Sequence, residues 1–576
     1  MDKQDNIKID NLLLILIPFA ITFISYISRI TPNIYWRDSS EFTTVGYTLG
    51  IAHPAGSPLY SEIAKLFTFL PIGSIAFKIN LLSLFFGSLT ISLIALIVYL
   101  VINELIPPSP RLLRGGLSPI PLWERVRVRG LIIFASISSA LIIAFSRPMG
   151  KISIETEVYS LQNFFILLIV YLLLLSWKKG DGNADQYIYG ASFLFGLSTG
   201  AHIIMLFYLP VFFLFVFFTH RENIVSLKKV SILTLFFLIG ISIYLYLPLR
   251  SMTDPYYDWG NPETLENFIR HVSDRKDSAV HLKFPVSDTL KIAKNYLRYY
   301  PDNFSLIGIF LGFSGIVYLF KKNRPLLLFF TGIFFAQWFF FIRYWDEATP
   351  YIPSFIMFSV FVGIGIYMIV STLKTLIESP VKNIQYTRIL IGTVILSISF
   401  QVLLLFYFNY DTTDKGSYWS TRDFFAYLID DTEYNSLLFS SITWFGLSYL
   451  QQCEGYRPDL TLIGHSNIYN PKLFMPITKD RYPLIELPPV EGKVPQYITR
   501  ELILLNSEDH GIYWEPSYRF DPPFIKNLLL NGFFYNVATY PSNRIDDEIK
   551  KIHDKKMIDL IERVYDKDNS FKDKEE

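Results

Sequence analysis

Cysteine is nearly absent from this chain, and charged residues are scarce. Cys453 is the single cysteine among 576 residues, which excludes an intramolecular disulfide and a metal site built from several thiolates. Charged residues make up 18%, against about 25% in soluble domains, and the net charge of +1 gives no basis for nucleic-acid binding. Neither Gly-rich phosphate loop pattern nor H-E-x-x-H occurs. The sequence therefore supports neither a soluble nucleotide enzyme nor a metalloprotease.

Hydrophobic residues are abundant and clustered. They make up 51% of the chain, and the mean hydropathy is +0.32. A membrane helix needs about 20 mainly apolar residues. Stretches without acidic residues, Lys or Arg lie between residues 10 and 29, 78 and 104, 129 and 147, 157 and 178, 185 and 221, 229 and 250, 302 and 321, 324 and 343, 347 and 374, and 388 and 411. We expect the fifth to be a helical hairpin turning near Gly200–His202, which gives about eleven transmembrane helices.

The distribution of Lys and Arg predicts the orientation of these helices. With the N-terminus in the cytoplasm, the inner loops carry most of the positive charge, including Arg125, Arg127 and Lys178. The opposite loops are richer in acidic residues, among them Asp38, Glu41 and Glu157. We expect the first helix to be an uncleaved signal anchor, because it is long and no small-residue cleavage site follows it.

The chain divides into three parts by composition. Residues 1–410 form the predicted transmembrane domain, with a flexible Pro/Gly/Arg-rich inner-loop insertion at 107–130 and an outer loop at 250–301. Residues 411–545 are predicted to form a soluble α/β domain outside the cytoplasm, and 546–576 a polar tail. Strands are predicted at 436–441, 459–464, 501–506 and 511–516, with a helix at 443–455 between the first two. The predicted fold class is thus a polytopic α-helical membrane protein with a C-terminal soluble α/β domain.

The stretch from Tyr35 to Tyr60, "YWRDSSEFTTVGYTLGIAHPAGSPLY", contains the strongest candidates for chemistry. One interpretation is structural: Asp38 and Glu41 form a capping box at the start of a helix over residues 39–49. The other is catalytic: a carboxylate at the membrane edge acts as general base toward an acceptor hydroxyl. The two are compatible, because a capping residue can also present its carboxylate.

Other polar groups are predicted to share the outer face with this stretch. A lone His in a loop is more often structural, and an Arg at the end of a span usually reaches toward the interface. Together, however, they predict a polar cavity in which cations hold a phosphate. The candidate substrate-binding residues are Arg37, His53, Arg147, Glu157, Tyr159, His202, Arg250, Trp259 and Asp346.

The same stretch resembles the signature of the DUF2723 family, which includes transmembrane protein O-mannosyltransferases of the GT-C superfamily. The matching pattern is D-x-x-E-F followed by L-G-x-A-H-P-x-G-x-P-L-Y, with Ala55 and Ser57 where the family usually has Pro and an aromatic residue. Further pieces that resemble the family are "ETEVYSL", "GLSTGAHI", "YLPLRSMTDPYYDWGNPETLENFIRHV", "DEATPYIPSF" and "YLQQCEGYRPDL". The resemblance extends over about residues 10 to 465.

The resemblance implies a GT-C-like inverting glycosyltransferase. It would move a sugar, mannose above all, from a polyprenyl-phosphate donor to a protein or glycan hydroxyl on the non-cytoplasmic face. Asp38 takes the catalytic position, with Glu41 as the second candidate, and Arg147, His202 or Arg250 would stabilise the departing phosphate. GT-C enzymes differ in their need for a divalent metal; the sequence shows no strong ligand cluster. We expect an integral protein of the bacterial inner membrane that binds no nucleic acid.

Two other functions are compatible with the sequence. A transporter or flippase for a lipid-linked glycan would show internal repeats and helices broken at mid-membrane, and no convincing repeat is found. A non-catalytic envelope assembly protein would use the C-terminal domain to hold its partner. A dispensable Asp38 would favour that last function.

Overall fold

The fold was obtained as a computed structural model. It describes residues 3–36, 38–105, 122–180, 184–273, 286–342, 347–377, 384–441, 443–464, 482–490, 493–515, 528–531 and 534–537. Arg37 and Asp346 among the candidate site residues lie outside the described residues, as do most of the insertion at 107–130 and the whole tail at 546–576.

Helices dominate the first 410 residues. The first nine are α1 (Lys3–Ile27), α2 (Asp38–Thr48), α3 (Pro58–Thr68), α4 (Ile75–Leu100), α5 (Leu122–Ala144), α6 (Arg147–Ile154), α7 (Tyr159–Lys179), α8 (Asp185–Thr199) and α9 (Leu209–Thr219). The next nine are α10 (Arg221–Val225), α11 (Leu227–Ile241), α12 (Tyr246–Ser251), α13 (Leu265–Val272), α14 (Val286–Lys322), α15 (Arg324–Ala336), α16 (Trp338–Phe341), α17 (Ile352–Ile377) and α18 (Ile384–Phe408). Short π and 3-10 turns lie at Val101–Leu105, Ile203–Tyr208, Ser242–Leu245 and Thr349–Tyr351.

Each of the eleven apolar segments predicted from the sequence is helical, but they differ in length. Seven helices in the described residues are long and apolar enough to cross a membrane, and α5 with α6 make an eighth if this pair, bent by 70°, is one span. The remaining segments, in α8, Ile203–Thr219 and α15, are shorter than 18 residues. By this criterion the count is seven or eight rather than eleven. The hairpin turn near Gly200–His202 is confirmed between α8 and Ile203.

Glycine pairs allow two helix crossings to be unusually close. A Cβ at Gly315 in α14 would collide with the Phe361 carbonyl oxygen in α17, and one at Gly365 in α17 would collide with the Leu311 carbonyl oxygen. Helices α8 and α11 cross in the same way at Gly196 and Gly240. Small residues at such crossings let helix backbones approach, which favours association where water provides no hydrophobic driving force.

The C-terminal part is an α/β domain with a five-stranded sheet. It contains α19 (Tyr410–Thr413), α20 (Ser420–Asp430), β1 (Leu437–Ser440), α21 (Trp444–Glu454), β2 (Thr461–Gly464), α22 (Pro495–Asn506), β3 (Ile512–Trp514), β4 (Leu528–Asn531) and β5 (Phe534–Val537). The sheet order is β2-β1-β3-β5-β4, with β1 parallel to β2 and β3, and β5 antiparallel to β3 and β4.

Two predictions within these regions are wrong. Residues 501–506 belong to helix α22 rather than to a strand, because Ile498, Leu502 and Asn506 recur every four residues on its buried face. Residues 122–130 of the predicted insertion begin helix α5. They contain no Pro or Gly before Gly130, so nothing in this part of the segment breaks a helix.

One end of the helical bundle carries the loops that hold the candidate site; we call it the site face. Asn80, in the first turns of α4, donates from Nδ2 to the carbonyls of Thr31 and Asn33, and its Oδ1 accepts from the Thr156 hydroxyl. The C-terminal domain packs on the same end, where Trp36 contacts Phe424 with ring centroids 5.3 Å apart. The segment between α1 and α2 is therefore held between the bundle and the α/β domain.

Candidate functional site

Helix α2 places both candidate carboxylates on the site face. It begins at Asp38, and the partial positive charge of a helix N-terminus stabilises an anion there. The Thr43 and Thr44 hydroxyls donate to the carbonyls four residues earlier, a local pattern that competes little with the helix. Residues from Ser39 to Gly46 are buried, whereas Asp38 is partly exposed. The predicted helix over 39–49 is confirmed with a shift of one residue.

Glu41 does not complete the predicted capping box. Its Oε1 accepts the backbone N–H of His53 at 2.7 Å, and its Oε2 lies 2.9 Å from His53 Nδ1. The Glu41 side chain is 1% exposed and that of His53 37%. A carboxylate so enclosed and doubly engaged holds the turn after α2 in place. The geometry therefore gives Glu41 a positioning role and leaves Asp38 as the accessible carboxylate of the pair.

His53 is positively charged because of this contact. Burial opposes the charged imidazole, but the Glu41 carboxylate outweighs burial and raises the pKa of His53 to about 10. The negative charge of Asp38 acts in the same direction. His53 thus provides a cation beside the carboxylates of the site.

Glu157 joins this group from the opposite side of the site face. It follows Thr156, which is anchored on Asn80, and its backbone N–H points to the Ser83 hydroxyl at 3.4 Å. Burial, then the nearby carboxylates of Asp38 and Glu155, raises the pKa of Glu157 well above its ordinary value. A carboxyl group in this state is a proton donor, in contrast to Asp38 at the helix N-terminus.

His202 lies at the tip of the α8 hairpin and is neutral. Its Nδ1 accepts the Ile204 backbone N–H at 3.2 Å, which leaves the Nε2 proton available for donation. Burial, and then the positive charge at His53, lowers the pKa of His202 to about 4. The Tyr159 ring packs on it with centroids 5.7 Å apart. His202 can donate a hydrogen bond to an anion, but it is not the cation that the sequence suggested.

The two arginines expected to hold a phosphate have other contacts. Arg250 donates to the carbonyls of Leu49 and Thr48 at the C-terminus of α2, with the Thr48 contact at 2.9 Å. An 11-residue helix is about 16 Å long, so Arg250 lies at the far end of α2 from Asp38. Arg147 is exposed and donates from Nε to Asn409 Oδ1 at 3.1 Å. The structure brings neither guanidinium into the cluster around Asp38.

Trp259 connects the site loops to the C-terminal domain. Its backbone follows the bridge between Ile51 and Asp258, and its ring stacks on Phe445 of α21 with centroids 6.3 Å apart. Trp444 of α21 contacts the neighbouring Tyr257 ring at 4.8 Å. Trp259 thus acts here as a packing residue that braces the turn carrying His53.

Sequence reasoning missed His271 and the contribution of α21. A Cβ at Gly56, whose φ is +88°, would lie 3.0 Å from His271 Nε2, so this His packs against the turn that follows His53. Burial, and then the charge at His53, lowers the pKa of His271 to about 4. The signal was present in the long motif ending in "IRHV". Separation of 200 residues along the chain hid the contact between α21 and the site.

The cluster combines carboxylates and histidines, which are side chains that can also bind metals. Among the described residues, no three or more His, Cys, Asp and Glu side chains are grouped so that they could hold a metal ion. The arrangement brings the carboxyl groups of Asp38 and Glu157 together with the His53 cation.

Comparison with a solved structure shows what kind of fold presents this cluster. ArnT from Cupriavidus metallidurans, solved bound to undecaprenyl phosphate, superposes with a TM-score of 0.52 over 92% of this chain and 99% of its own, at 10% sequence identity. The fold is GT-C-like. At this identity the GT-C-like likeness concerns the arrangement of helices and the domain that follows them.

Sequence comparisons point in the same direction as the GT-C-like fold. Residues 38–225 match the family described as "Protein O-mannosyl-transferase TMEM260 N-terminal domain". The chain is 26% identical over 495 residues to "Protein O-mannosyl-transferase TMEM260" of Mus musculus and 23% identical over 485 residues to its counterpart in Dictyostelium discoideum. The alignments cover 80% and 75% of this chain. They cover 64% and 54% of the relatives, less than two thirds of their length.

Proposed function

We propose that this protein is a membrane glycosyltransferase that transfers a hexose, with mannose favoured, from a polyprenyl-phosphate donor to a hydroxyl of a protein or glycan acceptor. The observation that carries the proposal is the position of Asp38. It opens α2 on the site face, next to Glu157 and the His53 cation, and the match to the O-mannosyltransferase family begins at this residue. Membership of DUF2723 itself stays a prediction.

The proposed reaction is a single inverting displacement. Asp38 accepts the proton of the acceptor hydroxyl. At the same time the oxygen of that hydroxyl forms a bond to the anomeric carbon of the sugar. The bond from that carbon to the phosphate oxygen breaks, and the electron pair leaves with the lipid phosphate. His53 and the Nε2–H of His202 supply positive charge and a hydrogen bond for the anionic leaving group. Glu157 supplies a proton to the phosphate as it departs.

Two observations support the choice of donor and location. The structural relative with the GT-C-like fold was solved with undecaprenyl phosphate, the type of lipid phosphate that the reaction would release. The positive-inside distribution supports an extracytoplasmic position for the site face and for the C-terminal domain that packs on it. A bacterial inner membrane remains our expected location, and the need for a divalent metal stays open.

The test is transfer of mannose by the purified full-length protein from polyprenyl-phosphate mannose to a Ser/Thr peptide. We expect Asp38→Asn to reduce the rate at least a thousandfold, since Asn cannot accept the proton. Asp411→Asn, which changes an exposed carboxylate on α19, is the matched control and should keep the wild-type rate. Near wild-type transfer by Asp38→Asn, with both variants folded and inserted alike, would exclude Asp38 as the base.

The same preparation separates the alternatives. A flippase would move a fluorescent lipid-linked sugar between leaflets of a vesicle without transferring it. An assembly protein would show neither activity in any variant. Measuring transfer and translocation side by side therefore decides among the three functions.

A further inference from the structure

A cavity lies between the helical bundle and the C-terminal domain. Its volume is about 530 Å³, within the range of about 300–1,000 Å³ typical of small-molecule sites. One wall comes from Asn33 and the turn at Gly73–Ile75 before α4, and the other from α20 and α21. We call it the interdomain pocket.

Charges in the interdomain pocket are paired and slightly negative overall. Arg422 donates from Nε and Nη2 to Glu454 Oε2 at 3.0 and 2.8 Å, and Asn33 Nδ2 donates to Glu454 Oε1 at 3.0 Å. Asp423 adds a second carboxylate 3.6 Å from Arg422. Because the cation is already neutralised, the pocket is poorly suited to a phosphate, whose recognition depends on unpaired positive charge.

Two aromatic residues complete the interdomain pocket. The Trp419 side chain is 41% exposed, although it lies at the edge of a well-packed domain. Tyr449 is fully buried, and its hydroxyl is near Glu454 and Ser74 but completes no hydrogen bond of ordinary geometry. A bound ligand with its own donors and acceptors would give this buried hydroxyl a hydrogen-bond partner.

We propose that the interdomain pocket binds a hexose residue, with the Trp419 indole against the apolar face of the sugar ring. A sugar is neutral and rich in hydroxyls, each of which can donate and accept a hydrogen bond. The planar side chains of Arg422, Glu454 and Asn33 supply the matching donors and acceptors. The exposed indole supplies the stacking surface, and the Tyr449 hydroxyl supplies the additional hydrogen bond.

This inference rests on the proposed function and extends it. Asn33 lies five residues before Asp38, and the Cys453 thiol interacts with the Thr44 hydroxyl of α2. A sugar in the interdomain pocket would therefore contact the elements that carry the catalytic carboxylate. The ligand would be an acceptor that already bears a hexose, held so that a further hydroxyl can reach the Asp38 cluster.

The experiment measures binding separately from transfer. Methyl α-D-mannopyranoside is titrated into the full-length protein carrying Asp38→Asn, and binding is followed by saturation-transfer difference NMR. We expect Trp419→Ala and Arg422→Lys each to weaken binding at least tenfold, and Trp419→Phe to restore part of it. Tyr434→Ala, which removes an aromatic side chain 76% exposed on the same domain, is the control and should bind as the parent does.

Each result is decisive. Unchanged binding in Trp419→Ala would overturn the inference while leaving the proposed function intact, because that depends on the loss of transfer in Asp38→Asn. Equal affinity for an unglycosylated Ser/Thr peptide, lost in the same variants, would identify a polypeptide subsite and overturn the inference as well. Displacement of the mannoside by inorganic phosphate would do so too.

Discussion

Glu41 contacts His53 through both of its carboxylate oxygens. Oε1 accepts the His53 backbone N–H at 2.7 Å, and Oε2 lies 2.9 Å from Nδ1 of the ring. The eleven residues between them include the rest of α2 and the turn that leads to His53. This contact fixes the position of the His53 cation relative to Asp38. The contact joins helix α2 to the turn that carries His53.

Two replacements of Glu41 should therefore distinguish the effect of the His53 charge from the effect of the hydrogen bonds that hold His53 in place. In Glu41→Gln the amide oxygen can keep the backbone N–H bond, and its NH₂ group can donate to a neutral His53. Glu41→Ala loses both contacts and should destabilise the fold by about 1–3 kcal/mol. We expect both variants to lose transfer activity, with a larger drop in thermal unfolding temperature for Ala. Full activity in Glu41→Gln would show that the charge on His53 is not needed.

The His53 cation predicts a dependence of stability on pH. Its pKa in the folded protein is about 10, above the ordinary value of 6.5. The contact with Glu41 therefore contributes its full stabilisation below pH 6.5 and loses it as pH rises through 10. The difference in unfolding temperature between wild type and His53→Gln should be largest at pH 6 and shrink toward pH 10. His510→Gln, on the C-terminal domain, is the control. If the difference in unfolding temperature between wild type and His53→Gln did not depend on pH, the charge assigned to His53 would be wrong.

We expect Glu157 to lower the stability of the folded protein as pH rises. Its raised pKa means that ionisation is disfavoured in the folded state by burial and by Asp38. The cost is present at neutral pH and is relieved as pH falls and the carboxyl group takes up a proton. Glu157→Gln should therefore raise the unfolding temperature at pH 8 and change it less at pH 5. Exposed Glu266→Gln should shift it at neither pH, and a stabilisation by Glu157→Gln that grows toward acid would refute this account.

The crossing of α14 and α17 has no room for a side chain. A Cβ at Gly365 would collide with the Leu311 carbonyl oxygen, so Gly365→Val should prevent close packing of the two helices. We expect loss of the monodisperse peak in size-exclusion chromatography. Gly392→Ala in α18 is the matched control, since nothing lies within 4 Å of the added Cβ. A monodisperse, active Gly365→Val protein would show that the helices can separate without harm.

The last prediction concerns the buried hydrogen bonds of Glu515 in the C-terminal domain. Its buried Oε2 accepts from the Ser441 N–H at 2.7 Å and the Thr443 hydroxyl at 2.8 Å, which holds the loop that begins α21. Glu515→Ala should speed hydrogen exchange at Ser441 about 10- to 100-fold, equivalent to about 1–3 kcal/mol. Exposed Glu508→Ala is the control. Unchanged exchange would mean that the loop is held by its backbone alone.

Local patterns were sufficient to predict much of this architecture. Each apolar segment became a helix, because burying about 20 apolar residues with satisfied backbone groups leaves few alternatives in a membrane. Strands β1, β2 and β3 and helix α21 were predicted from apolar runs bounded by polar residues. The short apolar run at 501–506 misled, because its length fits a strand and its helical periodicity emerges only with residues upstream.

The roles of the site residues could not be predicted in the same way. The sequence alone determined that Asp38, Glu41 and His53 lie close together between the first and second long apolar segments, since they are within 16 residues. Only the tertiary structure decided that Glu41 binds His53 and that Arg250 caps α2 rather than facing Asp38. It also decided that α21 packs against α2, although about 400 residues separate them in the chain. Charge and burial depend on neighbours distant in sequence, and a one-dimensional pattern contains no information about those distances.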